Sequence, residues 1–139
     1  MIVVDASILA SSLSDDGSDG DRIRARLDAE QILCAPEIID LEIVMAWRRQ
    51  LRMGWIDDDR AQRAFDDLAG LNLIRAPHLP LLGRIWELRH NLTAYDASYV
   101  ALAETLDTTL LTADGRLARA PSLRCEVELI KESDGESRQ

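Results

Sequence analysis

Ile2-Val3-Val4-Asp5-Ala6-Ser7 opens the chain with three apolar residues, then a carboxylate, then a hydroxyl residue where a helix can begin. Ile2 to Val4 reads as a short buried strand, and Ser7 to Leu13 as a helix with Ser7 as N-cap or first-turn residue. The same strand-then-helix alternation recurs along the chain. Ile32 to Cys34 reads as a second strand, and Pro36 opens a helix to Met53 that Gly54 ends as a C′ residue. Asp57-Asp58-Asp59 gives the next helix, to Leu71, an acidic first turn that suits its dipole. Leu73 to Arg75 is a third strand, and Pro80 opens a helix to Arg89. Thr93 to Leu106 is a helix capped by Thr93, Thr109 to Thr112 a fourth strand, and Val127 to Ile130 a fifth. Repeated βα units predict an α/β domain with a mostly parallel sheet of about five strands, flanked by helices.

Within this frame four acids occupy places where an unpaired carboxylate is costly. Asp5 ends the first apolar run, and Glu42 interrupts the run from Ile38 to Met45. Asp96 heads the apolar stretch up to Ala103, and Asp114 follows Thr109-Leu-Leu-Thr-Ala113. No Lys or His lies in these segments, so a hard divalent cation is the economical partner. Asp5 and Asp114 each follow a strand, at the carboxyl edge where open α/β sheets build their sites. Asp96 shares a helix stripe with Tyr99, Val100 and Ala103, and Glu42 shares one with Ile38, Ile39, Met45 and Ala46. Both helical acids are therefore expected to point inward, whereas Asp40 is expected to meet solvent. Each acid also has a plainer reading, as a cap, a turn residue or a snorkelling side chain. Four such coincidences in one small domain are a poorer account than one site.

At 139 residues the chain builds one good core, and 47% hydrophobic content excludes a mainly disordered chain. No apolar run approaches a membrane span, and the N-terminal run has no basic segment before it, so neither a membrane span nor a signal peptide is expected. Cys34 and Cys125 read as buried free thiols in a reducing cytosol, and with only His78 and His90 they make no zinc pattern. A net charge of −9 argues against a broad basic nucleic-acid surface. Arg groups at Arg22/Arg24/Arg26, Arg48/Arg49/Arg52, Arg60/Arg63 and Arg116/Arg119 leave room for a local basic rim or for ion pairs with the many acids. The polar stretch 14–21 reads as a loop; counted from Asp15 it lacks the third and twelfth ligands of an EF-hand. The helix after it is expected over Asp21 to Ala29, and the tail 131–139 is expected to be polar and frayed.

Four segments carry a resemblance: Val4-Asp-Ala-Ser-x-Leu9, Pro36-x-x-x-Asp-Leu-Glu42, Asn91-Leu-Thr-Ala-Tyr-Asp-Ala-Ser-Tyr-Val-Ala-Leu-Ala-Glu104 and Leu111-Thr-Ala-Asp-x-Arg-Leu117. In this order, over residues 1–130, they resemble the motifs of the PIN-domain family, and most closely its VapC toxins. The resemblance implies a PIN-like nuclease domain over 1–130: a cytoplasmic endoribonuclease dependent on Mg²⁺ or Mn²⁺ and inhibited by a cognate VapB-type antitoxin. It places the catalytic, metal-binding role on Asp5, Glu42, Asp96 and Asp114, and substrate or supporting contacts on Ser7 and Thr112. It also implies RNA products with 5′-phosphate and 3′-hydroxyl ends.

Other acid-bearing α/β domains fit less well. A receiver-type phosphotransfer domain needs a late Lys, and Lys131 is in the tail. A dehalogenase-like phosphatase needs Asp-x-Asp, and Asp5-Ala-Ser7 stands there. A dinucleotide-binding domain needs a Gly-rich loop that is missing. A non-catalytic PIN-like binding module would be expected to lose some of the four acids. Finally, Leu41, Ile43, Val44, Met45, Trp47 and Leu51 cannot all meet one sheet, and Trp55, Ile56 and Phe65 add to the surplus. A homodimer is the expected use of that surface.

Overall fold

The structure, a computed structural model, describes residues 1–133. Five strands, β1 (Ile2–Val4), β2 (Leu33–Pro36), β3 (Leu73–Ala76), β4 (Leu110–Thr112) and β5 (Val127–Leu129), form one sheet in the order β3-β2-β1-β4-β5. Every pairing is parallel, with Val3 opposite Cys34 on one side and Leu110 on the other. The expected α/β architecture is therefore the one found. The chain winds outward from β1 to β3, then returns to the far side of β1 for β4 and β5. The direction reverses between β1 and β4, which makes their carboxyl ends the switch point of the sheet.

Seven helices connect the strands: α1 (Ala6–Ser14), α2 (Ser18–Asp28), α3 (Ile39–Arg52), α4 (Asp58–Gly70), α5 (Leu82–Glu87), α6 (Ala94–Thr105) and α7 (Gly115–Ala118). Right-handed crossovers assign α1 to α4 to one face and α5 and α6 to the other. α1 packs against α2, α3 and α4, while α6 crosses β1, β2 and β4 with α5 beside it. Residues Ala97 to Ala103 of α6 are all buried, because small side chains at Ala97, Ser98, Ala101 and Ala103 let the helix sit close to the sheet. Ile2, Val3, Val4, Leu110 and Leu111 fill the layer between the helices. Burying a side chain of this size stabilises the fold by about 1.5–3 kcal/mol.

Several local expectations shift. Asp5, not Ser7, is the N-cap of α1. The loop after α1 is shorter than residues 14–21, since α2 already starts at Ser18. Gly20 explains the tight turn: a Cβ there would come within 1.9 Å of the Asp15 carbonyl oxygen. Pro36 ends β2 instead of opening α3, and the helix begins at Ile39. Within β2 only Leu33 and Cys34 pair with β1, so the missing N–H of Pro36 costs no bond on that side. Gly54 does terminate α3. Its φ is +77°, and the N–H groups of Trp55 and Gly54 donate to the Gln50 and Leu51 carbonyls, a Schellman closure. Pro80 lies in a 3₁₀ turn, Leu79–Leu81, that precedes α5. The one-turn helix α7 was not expected; it is too short for periodicity to reveal.

Arginines fasten the shell. Arg26 bridges α2 to β5 through Glu128 at 2.6 Å, Arg84 joins α5 to Glu104 at 2.7 Å, and Arg60 bonds Asp16 and the Leu13 carbonyl. Asp40 is not left to solvent, because Arg75 of β3 grips both its oxygens at 2.6 and 2.9 Å. The start of the tail is also held: the Ser133 hydroxyl donates to buried Asp19 at 2.9 Å, and the Lys131 carbonyl accepts from Arg22. The rest of the expected frayed tail, 134–139, lies outside the described residues. Cys34 is buried and Cys125 only partly so, and both are free thiols. No helix among the described residues is long and apolar enough to cross a membrane.

Candidate active site

The four singled-out acids lie where the switch point forms, on different elements. Asp5 follows β1 and caps α1; Asp114 follows β4 and caps α7. Asp96 is the third residue of α6, after the Thr93 cap, and Glu42 is the fourth residue of α3. All four therefore sit at helix N-termini, where unpaired N–H groups and the dipole favour negative charge. The plainer reading of Asp5 and Asp114 as caps is correct, and it does not preclude a site. Capping takes Oδ1 in each case, through Ile8 N–H at 3.0 Å and Arg116 N–H at 2.9 Å.

Asp5 is the best supported of the four. It is only 8% exposed. Ser7 Oγ donates to its Oδ1 at 2.7 Å, and the Thr112 hydroxyl donates to its Oδ2. Thr112 Oγ1 in turn accepts the Asp114 N–H at 3.0 Å, so one buried hydroxyl links the two strand-end acids. Ser7 and Thr112 are thus brought to the site, as supports of Asp5. Glu42 is partly buried, and its Oε1 accepts from the Tyr99 phenol at 2.6 Å. Met45 does not share the inward stripe expected of it; Ile39, Ile43 and Trp47 form that stripe, with Glu42 on its flank. Trp47 packs edge-on against Phe65 under α1 and donates to the Ala10 carbonyl.

The charges act on one another. Burial pushes the Asp5 carboxyl above the usual range; the bonds from Thr112, Ile8 and Ser7 oppose this, and the charge of Asp96 adds to it. Burial also raises Glu42, against the Tyr99 bond and with help from Asp96 and Asp5. Asp96 is raised by burial and then by Asp114, with Arg116 opposing. Among the described residues Asp5, Glu42 and Asp96 make no ion pair, and the sole cation paired to the group is Arg116, 3.4 Å from Asp114 Oδ2. The donor set is all oxygen and all anionic, which suits a hard divalent cation. As the side chains stand, no three acidic or other ligand side chains among the described residues are close enough to hold one ion. Binding an ion would therefore require the carboxylates to turn towards it.

Sequence reasoning found the acids and hydroxyls but gave Tyr99 no role beyond its stripe. Its spacing from Asp96, one helical turn, was the available signal. Arg116 lay within a quoted motif without an assignment.

Known proteins resemble the chain in sequence and in fold. The PIN domain pattern matches residues 2–123. Ribonuclease VapC1 of Mycobacterium tuberculosis is 44% identical over 130 residues, covering 93% of this chain and 97% of that protein. Among solved structures, PAE2754 from Pyrobaculum aerophilum superposes with a TM-score of 0.66 at 22% identity, over 91% of this chain and 81% of that one. VapBC2 from Rickettsia felis, bound to a DNA fragment from its promoter, gives a TM-score of 0.62 at 16% identity, over 93% of this chain and 98% of that one. These last two bear on the fold alone. With the pattern and the identity in agreement, the chain belongs to the PIN-domain family, among its VapC ribonucleases.

Proposed function

We propose that this protein is a divalent-metal-dependent endoribonuclease, the toxin of a VapBC-type pair, acting on RNA phosphodiester bonds in the cytoplasm. The observation that carries the reading is the set of mutually repelling carboxylates Asp5, Glu42, Asp96 and Asp114, paired among the described residues with Arg116 alone, at the switch point of a PIN sheet. A non-catalytic module would be expected to lose some of these acids, and this chain keeps all four.

The four acids would hold Mg²⁺ or Mn²⁺. A bound ion there would supply an acidified water and neutralise charge on the phosphoryl and leaving oxygens. The residues of the chain do the rest. Ser7 and Thr112 fix the orientation of Asp5. Arg116, largely exposed, is placed to exchange Asp114 for an RNA phosphate. Arg48, Arg49 and Arg52 are exposed and make no ion pair among the described residues, so they offer a basic rim on an otherwise acidic protein.

Two partners follow. An antitoxin arginine can pair with the same carboxylates and compete with metal. A second copy of the chain can cover the exposed apolar face of α3, where Leu41 is 63% and Met45 70% exposed. The test of activity is incubation of the purified protein with total RNA in Mg²⁺ or Mn²⁺, with and without chelator. Discrete cleavage that chelator stops supports the reading; cleavage that persists in chelator, or none with any RNA, overturns it.

A further inference from the structure

We infer that Tyr99 is a positioning residue of the catalytic centre, holding Glu42 by one oxygen so that the other faces Asp96 and Asp5. The inference rests on the metal-dependent reading above. Glu42 needs such a guide. It arrives on α3, whereas Asp5 and Asp114 follow adjacent strands and are joined through Thr112. Among the described residues the phenol of Tyr99, 2.6 Å from Oε1, is the one group that bonds its carboxylate. Tyr99 is itself buried, with its neighbours, in the central helix α6. It lies one turn after Asp96 on that helix, so the bond draws Glu42 towards the Asp96 stripe. A phenol donor also fixes which Glu42 lone pairs stay open. Supporting bonds of this kind commonly tune metal affinity or activity by about 10–100-fold.

A satisfied core tyrosine with no bearing on the site is the competing account, and Tyr99→Phe separates the two. The ring and its packing stay, and only the hydroxyl is lost. Mn²⁺ binding is measured by calorimetry without RNA, beside steady-state cleavage, for wild type, Y99F, E42Q and the double variant. Wild type should bind Mn²⁺. Y99F should bind it about 10–100-fold more weakly. Its kcat should fall while KM for RNA stays within about twofold, as expected when orientation and not substrate binding is lost. In the E42Q background, Y99F should add nothing, because the residue it acts through is already altered. Unchanged Mn²⁺ affinity in Y99F overturns the inference alone. An equal loss in the presence and absence of E42Q also overturns it, since Tyr99 would then act through the core. No Mn²⁺ binding by wild type overturns the metal-dependent reading itself.

Discussion

Thr112→Val is the sharpest probe of how the site is built. The hydroxyl of Thr112 is fully buried and carries two bonds, as donor to Asp5 Oδ2 and acceptor for Asp114 N–H. Valine keeps the shape and removes both. A bond to a buried carboxylate contributes about 1.5–3 kcal/mol, and an orphaned N–H costs about 1 kcal/mol more. The expected loss of stability is therefore about 2.5–4 kcal/mol, or roughly 8–14 °C in Tm for a domain of this size. The loss should also depend on pH. The folded pKa of Asp5 lies above its ordinary value, so its contribution to stability is greatest at acid pH, where the group is protonated in both states. That contribution falls as pH rises from the unfolded towards the folded pKa. The Thr112 bond holds the folded pKa down and limits the fall. Without it the fall extends to higher pH, so the deficit of the variant is larger at neutral pH than at acid pH. Thermal unfolding of the metal-free protein, followed by circular dichroism at both pH values, measures this. A deficit under about 3 °C, or one that is equal at the two pH values, would refute the reasoning.

Two further outcomes follow from the same geometry. Asp96→Asn should abolish cleavage yet raise Tm of the metal-free protein near neutral pH, because it removes a charge that burial and Asp114 both disfavour; calorimetric unfolding checks this, and a lower Tm with activity intact would make Asp96 a structural acid. Met45→Glu should leave the far-ultraviolet circular dichroism unchanged and reduce the mass seen by light scattering from dimer to monomer; a wild type already monomeric at micromolar concentration removes the dimer.

The fold was legible because its signals are local and strong. The three central strands are short, mainly apolar runs, and the acids stand just after the runs or one turn into the next helix. Thr93 as cap and Gly54 as helix terminator were readable because each residue type has a specific backbone use. What escaped depended on distance along the chain. The grip of Arg75 on Asp40 spans 35 positions and that of Tyr99 on Glu42 spans 57, and no local pattern marks such pairs. Pro36 misled because proline opens helices and also closes strands, and the choice is set by how far β1 extends beside it. Ser7 was ambiguous for a related reason: it and Asp5 are both good caps, and the acid won because it also meets Thr112.

The central claim is that Asp5, Glu42, Asp96 and Asp114 together form a divalent-metal site that hydrolyses RNA. The most direct test is to treat one end-labelled RNA with wild type and with the four single variants D5N, E42Q, D96N and D114N in Mn²⁺, with and without chelator, and to identify the new ends. Wild type should leave 5′-phosphate and 3′-hydroxyl ends only when metal is free, and each variant should lose most of that cleavage. Ends bearing a 2′,3′-cyclic phosphate, or full cleavage by any two of the variants, would contradict it.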